Sequence, residues 1–196
     1  MIGPLSIARL AKRLQRDRRG LGVVEFALAA PFLILIYVGS FQLMDAISCY
    51  RKVSITDHAL ADLATRQKTV TPDQAQTILY AARQVMTPYS TAGATLIITE
   101  ISIDKDGVPH VVWYKANDST VVRDSDLAVP ADIKVPNSYL ILSKIIYHYQ
   151  PVIGAKLIGP MTFEDHIYMN PRISDSICLN TGSAANPQCV EDGGTA

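Results

Sequence analysis

Two backbone positions and one carboxylate carry the clearest chemistry in this chain. They are Gly20, Leu21 and Glu25, within Arg18-Arg19-Gly20-Leu21-Gly22-Val23-Val24-Glu25-Phe26. A peptidase must grip extended backbone, and Gly20 places no side chain in its way, so the bond from Gly20 to Leu21 is a candidate for cleavage. Cutting there turns Leu21 into an ammonium group, and Glu25 follows four residues later, about one helical turn. A carboxylate at the head of an apolar run is costly in lipid unless it finds a partner or a route to water. If that bond is cut, the chemistry is processing of this chain followed by charge pairing, not a reaction that the chain catalyses; without a cut, Gly20 starts a helix whose amino end Glu25 complements.

The remaining reactive residue types are thinly spread. Cys178 and Cys189 enclose ten residues rich in Gly, Ser, Asn and Pro, a loop that gains order when closed, and a disulfide is expected between them. Cys49 is then left over and reads as a small buried apolar side chain. His58, His110, His148 and His166 stand singly, without metal-ligand spacing, so no metal or cofactor is expected. Ser, His and Asp occur throughout, but no nucleophile elbow or similar local context surrounds them. The chain reads as a non-enzyme.

The elements that hold these residues begin with an uneven charge distribution. Among 196 residues with a formal charge of zero, residues 1–20 carry six Lys/Arg against Asp17, leaving 12 basic and 17 acidic residues after Gly20. The basic end should remain in the cytoplasm. The acidic remainder lacks the clustered basic face that displaces counterions from phosphates, which argues against nucleic acid as a partner. Residues 26–44 contain no charge, and a helix of about 20 such residues crosses a bilayer core. Every face is apolar in Leu33-Ile34-Leu35-Ile36-Tyr37-Val38, as lipid or a filament core requires. Pro31 removes one backbone bond and favours a kink, which membrane helices tolerate.

The helical pattern continues beyond the apolar run. Met44, Ile47, Tyr50, Arg51, Ile55, Ala59, Leu60 and Leu63 recur at helical spacing, with Asp45, Lys52, Asp57 and Asp62 elsewhere, predicting an amphipathic helix to about Arg66. Thr71-Pro72-Asp73-Gln74 opens a second helix through a capping box, with Ala75, Ile78, Leu79, Ala82, Val85 and Met86 on one face. Strands are expected at residues 96–103 and 108–114 around the Asp106-Gly107 turn, at 139–149 and at 162–169. Trp113 should anchor a core or sheet face. The fold class is α+β, with two helices on one side of about four antiparallel strands.

The segment Arg18-Arg19-Gly20 followed by Val23-Val24-Glu25-Phe26-Ala27-Leu28-Ala29-Ala30-Pro31-Phe32 resembles the TadE-like minor pilins, or pseudopilins, of tight-adherence (Flp) type IV pili. Trp113, Tyr147-His148-Tyr149-Gln150-Pro151 and Met169-Asn170-Pro171-Arg172 are also similar to such sequences. Phe26 replaces the Tyr usual after Glu in the major Flp pilin, which, with the large distal part, favours a minor pilin. The resemblance implies a cytoplasmic leader at 1–20 removed by a prepilin peptidase, a transmembrane helix at 21–45, a periplasmic pilin-like domain at 46–173 and a flexible tail at 174–196 holding the disulfide loop. It further implies that Glu25 neutralises the amino terminus of a neighbouring subunit. Partners would be the peptidase, other major and minor pilins, the inner-membrane assembly machinery and, before assembly, membrane lipid. The chain would sit in the bacterial inner membrane and afterwards in a surface pilus used for attachment. Three rivals compete: an uncleaved membrane-anchored binding or scaffold protein, a type II secretion pseudopilin, and a lipoprotein processed at Ala46-Ile47-Ser48-Cys49.

Overall fold

A computed structural model describes residues 20–119, 121, 129–151, 159–182, 188–189 and 194–195. The expected leader, apart from Gly20, and parts of the expected tail lie outside these residues. The chain divides into two compact units, Met1–Met44 and Asp45–Ala196. Helix α1, Leu21–Thr65, contributes to both. It stops within a residue of the end that its periodicity predicts and runs on past Pro31.

In the first unit α1 is apolar and exposed. Val23, Phe26, Phe32, Ile34, Tyr37 and Phe41 all present most of their side chains to the surroundings. This is the one helix among the described residues long and apolar enough to cross a membrane.

The second unit is α+β. After α1 come β1 (Thr69–Val70), α2 (Pro72–Arg83), β2 (Ala94–Ile103), β3 (Pro109–Ala116), β4 (Ser138–Tyr149), β5 (Met161–Met169), β6 (Cys178–Leu179) and β7 (Gly194–Thr195). The order β5-β4-β2-β3-β7 makes one sheet, and the four long strands pair antiparallel. The start of α2 follows its residues: the Gln74 amide donates to Thr71 Oγ1 at 3.2 Å and the Thr71 amide to Gln74 Oε1 at 3.0 Å. These bonds satisfy amides that a helix end leaves bare. At the β2–β3 turn, Asp104 Oδ1 accepts from the Asp106 and Val108 amides, and Gly107 adopts φ +79°, which its missing Cβ allows.

Both helices pack on one sheet face. Leu60, Leu79 and Met86 meet Leu96, Ile98, Trp113, Ile141 and Ile145 in one core. The opposite face buries Ile101, Ile103, Leu140 and Leu142 under Val129 and Ile133. A bulge at Glu100/Ile101 shifts the β2–β3 register.

Two expectations need correction. The period of α1 matches the sequence reading but its phase does not. Ala46, Cys49, Val53, Thr56, Asp57, Leu60, Ala61 and Ala64 are buried, whereas Ile47, Tyr50 and Ile55 are exposed. Small side chains let the helix approach the sheet closely, and larger ones are left outside. The tail is also less free than expected in its described first part. Here β6 pairs parallel with β1, the Ile177 amide binds Glu100, and Ile177 and Leu179 are buried. Two-residue strands carry no sequence period, so this pairing could not be read in advance.

Candidate functional site

The residues expected to carry function lie at the head of α1. Gly20 is exposed, and among the described residues no atom lies within 4 Å of a Cβ built there. Leu21 begins the helix, Glu25 is exposed on its second turn, and Phe26 beside it is 66% exposed. Pro31 is exposed further along, amid the same apolar surface. The helix thus presents one carboxylate at the head of a long apolar face. That geometry suits packing among apolar neighbours with a single charge to be matched.

The other expected site is the cysteine pair. Cys178 and Cys189 form a disulfide, with Cα atoms 5.1 Å apart. Asn180 supports the closed loop by accepting from the Gly182 and Gln188 amides, both at 2.9 Å. Cys49 is free and fully buried, and burial with the nearby Asp45 charge pushes its thiol up to about 12. A thiol so disposed is protonated and unreactive.

Three polar arrangements, the first part-buried and the other two buried, escaped the sequence reading. Asp45 accepts from two tyrosines, Tyr89 at 3.0 Å to Oδ1 and Tyr149 to Oδ2. Burial and these bonds to Asp45 raise both phenols, Tyr89 to about 12. Tyr149 stacks on Phe163, whose other edge meets Tyr50, so an aromatic and carboxylate cluster fixes the beginning of the second unit to its sheet. Glu100, fully enclosed, accepts from the Ile177 amide at 2.6 Å, while Trp113 Nε1 donates to the Ile177 carbonyl at 2.8 Å. Burial outweighs the bonds from Ile177 and Trp113 and pushes Glu100 up to about 7. Asp57 meets Ser143 across the helix–sheet interface. The available signal for Glu100 was the one charged residue in a strand rich in Ile and Leu; Asp57 had no such signal, because its spacing matched the polar side of the helix.

Among the described residues, no group of three or more His, Cys, Asp or Glu is arranged to hold a metal ion. Comparisons with protein-family models, curated proteins and solved structures give no match.

Proposed function

We propose that this chain is a minor pilin of the TadE-like kind, made as an inner-membrane precursor, cut after Gly20 by a prepilin peptidase and built into a tight-adherence pilus. The observation that carries this reading is the exposed apolar helix of the first unit, headed by an exposed Gly20 and by Glu25. Before assembly lipid covers that surface; afterwards the helices of other pilins replace lipid. The exchange needs only matching apolar area and a partner for Glu25, which the new ammonium group of a neighbouring Leu21 supplies. The α+β unit lies on the periplasmic side and then on the pilus surface, where it contributes to attachment. Its mechanism is assembly through packing.

The exposed helix is equally compatible with an uncleaved anchor, and the two readings separate at one bond. Amino-terminal sequencing of protein made beside a prepilin peptidase should begin at Leu21. Recovery of intact Met1 protein alone, under conditions where a known prepilin is cut, would favour the anchor.

A further inference from the structure

Asp57 faces the sheet from α1 and is 1% exposed. On β4, the Ser143 hydroxyl, also fully buried, lies within bonding distance of both Asp57 Oδ1 and the Asp57 carbonyl oxygen, the latter at 3.2 Å. A hydroxyl has one proton to give. If Asp57 were ionised, that proton would have to serve two acceptors. If Asp57 carries a proton on Oδ1, both contacts are satisfied: Oδ1–H donates to Ser143 Oγ, and Ser143 donates to the backbone carbonyl. Asp57 Oδ2 is buried without a hydrogen-bond partner, an arrangement far more costly for a carboxylate than for a neutral acid.

We propose that Asp57 and Ser143 form a proton-held clasp between α1 and the sheet: the neutral acid closes it, and loss of the proton loosens the helix from β4.

The surroundings support this assignment. The charged group that reaches Asp57 from the sheet is Asp165 on β5, of the same sign. Lys144 alternates to the other face of β4 and pairs with Glu164 at 2.8 Å. On α1 itself, Asp62 is held by Arg66 and Arg172, and His58 and Arg51 point outward as exposed residues. Burial first, then the Asp165 charge, push Asp57 up to about 7 against the opposing bond from Ser143. The folded state therefore keeps a proton that the unfolded chain gives up near pH 4. The clasp's contribution is complete below that pH and is lost as pH rises through about 7. A unit so built tightens in mildly acidic surroundings, whether or not the chain enters a filament.

The test uses the full chain in detergent micelles, with urea unfolding followed from pH 4.5 to 9 for wild type and Asp57→Asn. Asparagine keeps the size, donates to Ser143 and cannot ionise. The ratio of the wild-type to the variant folding constant should fall by about tenfold per pH unit from pH 4.5 to about 7, roughly 300-fold in all. A ratio independent of pH would overturn the clasp. Asp165→Asn provides a second arm, because it removes a half-buried neighbouring charge without touching the clasp atoms. It should move the wild-type midpoint to higher pH if Asp165 stabilises the anion and to lower pH if it repels it; the proposal requires the lower value. A midpoint that rises or stays fixed contradicts it, as does a carboxyl carbon resonance of Asp57 that titrates near pH 4.

Discussion

Removing the Cys178–Cys189 bridge should lower the stability of the whole second unit while leaving the tail docked in the native state. The bridge closes a segment with a sequence separation of 11, and releasing a loop of that size restores chain entropy to the unfolded state worth about 3 kcal/mol. Undocking the tail would cost more. Glu100 would lose its amide donor and Trp113 its carbonyl acceptor, each about 1–3 kcal/mol when left buried and unpaired. Ile177 and Leu179 would also leave the core, at about 1.5–3 kcal/mol each. Docking therefore wins over local release. The Cys178→Ser/Cys189→Ser protein should melt roughly 5–10 °C lower, as read by circular dichroism. Trp113 is the chain's single tryptophan and touches the tail directly, so its emission should be unchanged at 25 °C and shift only with global unfolding. A red shift under native conditions, or an unchanged melting temperature, would refute this reasoning.

Two further outcomes follow from local bonds. Thr71→Ala removes the cap acceptor of the Gln74 amide and should destabilise the protein by about 1 kcal/mol, measurable by urea unfolding, with most of the loss recovered by Thr71→Ser. Glu100 is held as an acid up to about pH 7, so its contribution is present below the unfolded carboxylate value near 4 and lost as pH rises through 7. Glu100→Gln should therefore match wild type near pH 4 and exceed it by about 3 kcal/mol at most above pH 8, and equal stabilities at both pH values would show that Glu100 ionises freely.

What the sequence made legible was local. Thr71 to Gln74 specify their own cap, and Asp106-Gly107 specifies its own turn, because the atoms that satisfy each other lie within a few residues. The α1 periodicity revealed a helix and its length, but a period does not fix which side meets the sheet when Ile47 and Ile55 are larger than the buried Ala46 and Cys49. The pairing of Thr69 with Cys178 joins residues far apart in the chain, and neither two-residue strand announces a partner. Glu100 is a charge among isoleucines that the sequence reading passed over, and its donor is the backbone of Ile177, a group that leaves no mark in sequence. The proposed site residues Gly20, Leu21 and Glu25 could be singled out for the opposite reason: the processing and membrane insertion proposed for them would read a linear segment.

The central claim rests on what happens to that segment in the cell. Replacing Glu25 with Gln keeps the size and removes the charge, so insertion and cleavage after Gly20 should proceed while the ammonium group at Leu21 loses its carboxylate. Breaking such a pair in an apolar core costs roughly 3–5 kcal/mol. The measurement is the quantity of mature protein, beginning at Leu21, in sheared surface filaments relative to membranes, for wild type and Glu25→Gln. The account predicts wild-type protein in the filaments and the mature variant retained in the membrane; wild-type protein absent from filaments, or the variant incorporated as well as wild type, would contradict it.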